Sequence, residues 1–135
     1  MSSRQQQSGA AGSYRRGDVV LVLFPTPSGG TARQRPAVVL HNTEAADTAI
    51  SVVALSPRKP SDGQAFLIER GSFESARMGL VSSLWLDAQQ AFDVPAGLLL
   101  RQIGKCPYEL LDKAIRVRRQ TLASVERALR IEDLD

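Results

Sequence analysis

The chain has 135 residues, of which 43% are hydrophobic, and a formal net charge of +3. This size predicts one globular domain that buries roughly two-thirds of the surface its unfolded chain exposes. No run approaches the ~18 consecutive apolar residues of a membrane span, and the opening MSSRQQQSGAAGS lacks the apolar segment of a signal peptide. We therefore expect a cytoplasmic protein with no membrane partner, with a disordered tail over residues 1–13 and a single domain over residues 14–135.

Three apolar, β-branched runs follow the tail: DVVLVLF from Asp18, RPAVVLHN from Arg35 and TAISVVAL from Thr48. The loop PTPSGG separates the first two runs, and a turn near residues 44–47 separates the second from the third. Such short connections favour antiparallel neighbours, because parallel strands need long crossovers. A hairpin of the second and third strands would bring Arg35 and Ser56 together on one rim.

The second half of the chain predicts further short strands and a terminal helix. QAFLIE, LVSSLWL, AQQAFDV and LLLRQIGK have strand character, and GSFESARMG can hold one helical turn. From Tyr108 to Arg130 apolar residues recur at steps of three and four, which indicates an amphipathic helix with Pro107 in its first turn. The fold class expected is mainly β with helices, as a small, curved, partly open barrel flanked by the long C-terminal helix.

Familiar catalytic motifs are missing from the sequence. It has one histidine, His41, and one cysteine, Cys106, and no Gly-x-Ser-x-Gly, HExxH or P-loop pattern, so we expect neither a metal nor a cofactor. His41 is read as a polar strand terminus, and Cys106 as a small buried hydrophobic residue in a reducing compartment. Arg35 and Ser56 remain as the candidates for chemistry.

A rim with an arginine and a hydroxyl group suits a phosphodiester, because a guanidinium binds phosphate oxygens in pairs and a hydroxyl can donate one more hydrogen bond. In RNA the attacking 2′-OH already lies beside the phosphorus, so a protein needs only to align it, stabilise charge and move protons. An arginine side chain has a pKa above ~12 and is therefore a poor general base. Arg35 is expected to stabilise charge and to protonate the leaving 5′-oxygen.

The segments GDVVLVLFP, the glycine-containing loop, RPAVVLHN and VVALS resemble the MazF/PemK family of toxin endoribonucleases of type II toxin–antitoxin systems, over Arg16 to Ser56. The resemblance implies an SH3-like barrel with a C-terminal helix, a homodimer, and metal-independent cleavage of single-stranded RNA to a 2′,3′-cyclic phosphate. It implies catalytic roles for Arg35 and Ser56, and an RNA-binding role for Asp87 in the late strand. The family usually has a second hydroxyl residue where this chain has Pro57.

Other residues are interpreted around this rim. The residues expected to bind RNA are Arg33, Gln34, Arg58, Lys59, Trp85 and Asp87. An acidic antitoxin, implied by the resemblance, is expected to cover the basic residues, and loop residues 25–34 and 58–64 are expected to set base choice.

Several alternatives stay open. The basic residues could be solvated loop charges, Ser56-Pro57 could be only a turn, and Trp85 could be a core residue or, with Val81 and Leu84, a dimer contact. The whole domain could instead be a non-catalytic module that binds RNA or peptide. It could also be a CcdB-like gyrase poison that acts through its C-terminal helix.

Overall fold

The computed structural model describes residues 14–24, 32–60 and 65–134. The predicted tail over residues 1–13 lies outside the described residues. Within them the chain forms six strands, two α-helices and one short 3-10 helix. In chain order these are β1 (Asp18–Phe24), β2 (Arg33–Val39), β3 (Ala49–Ser56), β4 (Ala65–Ile68), α1 (Phe73–Met78), β5 (Leu84–Pro95), the 3-10 helix (Ala96–Leu98), β6 (Leu99–Lys105) and α2 (Tyr108–Leu134).

The six strands form one antiparallel sheet in the order β4-β5-β3-β2-β1-β6. Strands β4 and β6 are its two edges, so the sheet is not closed. The prediction of a mainly β, partly open architecture with a C-terminal helix is confirmed. One division is wrong: LVSSLWL and AQQAFDV do not make two strands. A single 12-residue strand, β5, pairs with β4 over residues 84–87 and with β3 over residues 85–86 and 91–95.

Alternating residues along the strands build a hydrophobic cluster on each side of the sheet. On one side, here called the helix face, Val38, Val53 and Leu55 pack with residues of the two helices, such as Met78 and Leu111. On the other side, here called the site face, the cluster includes Val20, Val22, Ala37, Val39, Ile50 and Val52. The cavities described below open on the site face.

Backbone contact fixes helix α1 against β6. Gly79 ends the helix in the left-handed conformation, with φ of 73°, and its N–H donates to Ala76 O at 3.2 Å. A Cβ atom at Gly79 would overlap the carbonyl group of Ile103, and one at Gly104 would overlap the backbone of Met78. Only glycine at both positions permits this close approach.

Helix α2 packs on the sheet along only the first part of its 27 residues. Leu111, Ala114 and Val117 are buried, whereas Leu122 and Leu129 are about half exposed. The predicted amphipathic stripe is therefore present, and its later members face solvent in this single chain. Among the described residues, no helix combines the length and apolar character that crossing a membrane requires.

Candidate functional site

A four-residue bulge in β5 shapes the site face. The pairs Val53↔Ala91 and Leu55↔Leu86 leave Ala54 alone on β3 opposite the β5 residues 87–90. Bulges of this kind bend a strand and re-aim its side chains. Here the extra residues of β5 turn towards the end of β3, where Ser56 lies.

The bulge and the end of β3 enclose a cavity of about 360 Å³, here called the bulge cavity. Four of the residues that the sequence predicts to act on RNA line this cavity, together with several that were not predicted. Its lining residues are Ala54, Ser56, Arg58, Lys59, Pro60, Asp87, Gln89, Gln90 and Phe92. Two cationic side chains, a hydroxyl group and a carboxylate therefore share one space.

Ser56 closes β3 and begins the following loop. Its Oγ accepts a hydrogen bond from the backbone N–H of Arg58 at 3.1 Å, an arrangement typical of a serine turn. The hydroxyl hydrogen of Ser56 stays available for another acceptor. The turn interpretation and the binding interpretation of Ser56 are thus compatible.

Trp85 borders the bulge cavity without lining it. It is half-buried and pairs with Ser56 between β3 and β5. The ammonium nitrogen of Lys59 lies over the Trp85 ring, 5.6 Å from its centre. This is within the range of a cation–π contact. Asp87 is buried, and its Oδ1 accepts a hydrogen bond from the N–H of Gln89 at 3.1 Å, which helps to fix the bulge.

Arg35 lines a second cavity of about 360 Å³, here called the aromatic cavity. Its lining residues are Phe24, Arg35, Ala54, Phe92, Asp93 and Val94. The rings of Phe24 and Phe92 meet edge to face, with centres 6.1 Å apart. Ala54 and Phe92 line both cavities, so the two spaces are neighbours.

Arg35 and Ser56 lie on the same face of the sheet. The β2–β3 ladder ends at Ala37↔Ala54, and its register, continued by two residues, sets Arg35 opposite Ser56. Each side chain lines its own cavity, with Ala54 between them. The predicted common rim therefore corresponds to two adjoining cavities on one face.

Arg33 and Gln34 line neither of these two cavities. Arg33 pairs with Phe24 and shares the face of Arg35, because alternate residues of a strand point the same way. Gln34 pairs with Leu23 and belongs to the helix face. The structure does not bring Gln34 to the other predicted RNA-binding residues.

The contacts of His41 and the burial of Cys106 indicate structural roles for both residues. Nε2 of His41 accepts from the N–H of Ser51 at 3.1 Å, and its Nδ1 lies 3.1 Å from Asn42 O, which fits a neutral ring with the proton on Nδ1. Cys106 is buried, as predicted, and burial raises the pKa of its thiol to about 12. Within residues 14–24, 32–60 and 65–134 no three metal-ligating side chains come together.

The three residues considered for a dimer contact differ in exposure. Val81 is 85% exposed, whereas Leu84 is half-buried against the helix-face cluster and Trp85 is half-buried beside Lys59. Val81 is therefore the most accessible of the three in the single chain.

Sequence reasoning missed Phe24, Gln89, Gln90 and Phe92. The segment AQQAFDV has the alternation of an ordinary strand, and nothing in it marks a bulge. Phe24 ends an apolar run and gave no reason to separate it from the core. The loop residues 25–31 and 61–64, part of the segments expected to set base choice, lie outside the described residues.

Comparison with known proteins identifies the family and the fold of this chain. The family model described as PemK-like, MazF-like toxin of type II toxin–antitoxin system matches residues 15–131. No curated protein matches the chain by sequence.

Among solved structures, MazF of Deinococcus radiodurans (form I) is 18% identical, with a TM-score of 0.56, over 82% of this chain and 96% of that one. The MazE–MazF crystal structures from the same organism give TM-scores of 0.57 (form II, 16% identity) and 0.59 (form III, 22% identity). They cover 81% and 82% of this chain, and 94% and 96% of those chains. These structures share the fold of this chain.

Proposed function

The chain belongs to the family of PemK-like and MazF-like toxins of type II toxin–antitoxin systems, and we propose that it is an endoribonuclease that cuts single-stranded RNA without a metal. The observation that carries the proposal is the group formed by Arg35, Ser56, Arg58 and Lys59, which line two adjoining cavities on one face of the sheet. Guanidinium, ammonium and hydroxyl groups are the donors that a phosphodiester binds best.

The proposed reaction is an internal transfer at phosphorus. The 2′-oxygen of one nucleotide bonds to the adjacent phosphorus while the bond from phosphorus to the 5′-oxygen breaks. The products are a 2′,3′-cyclic phosphate and a 5′-hydroxyl end, and no water or metal-bound nucleophile is consumed. The 2′-hydroxyl loses one proton and the leaving 5′-oxygen gains one, so the protein must accept a proton and supply one.

Arg35 is assigned the role of stabilising the negative charge that develops on the phosphate. Arg35 is half-buried, and Phe24, Phe92 and Val94 line the same cavity, so the apolar surroundings strengthen the attraction of the guanidinium for an anion. The same N–H groups can deliver a proton to the leaving 5′-oxygen. Ser56 donates its hydroxyl hydrogen to a phosphate oxygen while Arg58 N–H holds the Ser56 oxygen in place.

The proton of the 2′-hydroxyl needs an acceptor, and Asp87 is assigned this part. Its carboxylate lines the bulge cavity together with Ser56, and carboxylates are common general bases. Arg58 and Lys59 bind phosphates along the chain of the substrate, and Arg33 extends the basic surface on the same face.

The partners proposed are a second copy of the chain and an acidic antitoxin. In Deinococcus radiodurans the related MazF crystallises with MazE. An acidic segment would occupy Arg33, Arg35, Arg58 and Lys59 in place of RNA, and its binding would weaken with added salt. The homodimer rests on the family resemblance, and light scattering at micromolar concentration tests it, because a monomer at all concentrations contradicts it.

The decisive experiment uses a fluorescent single-stranded RNA incubated with the purified protein in EDTA. We expect cleavage, with 2′,3′-cyclic phosphate and 5′-hydroxyl ends identified by mass spectrometry. An Arg35→Ala sample purified in the same way serves as the control for contaminating nucleases. Binding of RNA without cleavage would contradict the enzyme and favour the non-catalytic module.

A further inference from the structure

We propose that the bulge of β5 forms a base-recognition subsite in which the side-chain amide of Gln90 binds adenine through its N6 and N7 atoms. This inference rests on the proposed cleavage of RNA and names the part of the substrate that the bulge cavity accepts. It involves residues for which the sequence offered no indication.

The geometry of the bulge presents Gln90 to a base next to the bond that is cut. Gln90 is exposed at the wall of the bulge cavity, which also contains Ser56 and adjoins the aromatic cavity of Arg35. A nucleotide whose phosphate contacts Ser56 and Arg35 therefore has its base within reach of the bulge. The register shift is what brings Gln90 there, because the ordinary ladder resumes at Ala91↔Val53.

The bulge is held before any ligand arrives. The N–H of Gln89 donates to the buried carboxylate of Asp87, which ties the start of the bulge to the cavity wall. Such a preformed backbone reduces the ordering cost of binding. Phe92 follows within the same strand, 43% exposed, and its ring lines both cavities as a surface on which a base can stack.

On the edge of a purine that carries N7, a carboxamide favours adenine over guanine. Its oxygen accepts from the N6 amino group while its NH₂ donates to N7, so both atoms are satisfied at once. The matching edge of guanine presents two acceptors, O6 and N7, and leaves the amide oxygen facing an acceptor. We therefore expect a preference for adenine over guanine at one nucleotide beside the cleaved bond.

The test begins with a randomised single-stranded RNA whose cleaved ends are sequenced to give the base preference at each position. Oligonucleotides with adenine, guanine or 7-deazaadenine at the preferred position then give ratios of kcat/KM. Since 7-deazaadenine lacks the N7 acceptor, we expect it and guanine to lower kcat/KM by about 10-fold in the natural protein. In Gln90→Leu this difference should disappear, whereas Gln120→Leu, on an exposed part of α2, should keep it.

A DNA version of the same oligonucleotide has no attacking 2′-hydroxyl and reports binding alone. If RNA is cut and Gln90→Leu retains the full discrimination against 7-deazaadenine, the subsite is wrong and the nuclease proposal stands. If RNA is not cut but the DNA binds with an adenine preference that Gln90→Leu removes, the subsite stands and the nuclease proposal fails. Absence of both cleavage and adenine preference overturns both.

Discussion

The hydroxyl oxygen of Ser56 lies 3.1 Å from the backbone nitrogen of Arg58 and accepts its hydrogen bond. One side chain thus ends strand β3, shapes the following loop and faces the bulge cavity. Because the loop carries Arg58 and Lys59, Ser56 sets the position of two cationic groups as well as presenting its own hydroxyl hydrogen.

Replacement of Arg35 by alanine should remove most of the cleavage activity. A lost donor to a developing negative charge commonly costs about 10²- to 10³-fold in rate, and we expect a loss of that size in kcat for Arg35→Ala. Arg101→Ala is the matched control, because Arg101 is exposed on β6 and lines neither cavity. Full activity of Arg35→Ala, with an unchanged circular dichroism spectrum, would exclude the assigned role.

Ser56→Ala should lower the rate less than Arg35→Ala, by about 10-fold, because it removes one neutral donor to a charged phosphate. Ser56→Thr keeps the hydroxyl group and should restore most of the activity. Single-turnover cleavage assays with excess protein compare the three forms. Equal rates in Ser56→Ala and the natural protein would show that Ser56 stabilises the turn and takes no part in cleavage.

The sequence allowed the strands and the long helix to be predicted where patterns are local. The apolar runs of β1 to β3 have two-residue alternation or β-branched content, and α2 has a clear helical period. The bulge could not be predicted, because a register shift depends on how β5 pairs with two neighbours rather than on its own residues.

The candidate site was predictable only in part for the same reason. Arg35 and Ser56 could be related through one hairpin, which needs only a turn and a register. Gln90 reaches the bulge cavity through the bulge, whereas Phe92 and Phe24 line the aromatic cavity through regular pairing, Phe92 with Val52 and Phe24 with Arg33. The placement of Gln34 on the helix face follows from strand alternation, and it could have been noticed once β2 was extended back to Arg33.

The buried thiol of Cys106 should make stability depend on alkaline pH. Burial raises its pKa from 9.0 to about 12, so above pH 9 the unfolded chain loses a proton that the folded chain keeps. The free energy of unfolding should therefore be unaffected by this group well below pH 9 and fall as pH rises towards 12, by roughly 1 kcal/mol at pH 10. Urea unfolding of the natural protein and Cys106→Ala at pH 7.5 and pH 10 measures the difference. An identical loss in both forms would contradict it.

Gly104→Ala should destabilise the fold, because the new Cβ would overlap the backbone at Met78 where α1 lies against β6. We expect a loss of about 3 kcal/mol in the free energy of unfolding, at the upper end of overpacking costs. Gly97→Ala is the matched control, since a Cβ at Gly97 meets nothing within 4 Å, and its effect should stay within about 0.5 kcal/mol. Thermal unfolding of both variants tests the contrast, and equal melting temperatures would refute the close approach.

The contact of Lys59 with Trp85 should report RNA binding directly. Trp85 is the single tryptophan of the chain, and Lys59 lies 5.6 Å from the centre of its ring. A phosphate that draws the Lys59 ammonium away changes the surroundings of the indole, so RNA should shift the intrinsic fluorescence.

Lys59→Ala should weaken binding and lower the slope of log K against log salt by about 0.7, the contribution of one phosphate contact on a single strand. Lys113→Ala, on helix α2 in a different groove, should leave the slope unchanged. Equal salt slopes in the natural protein and Lys59→Ala would show that Lys59 does not contact phosphate.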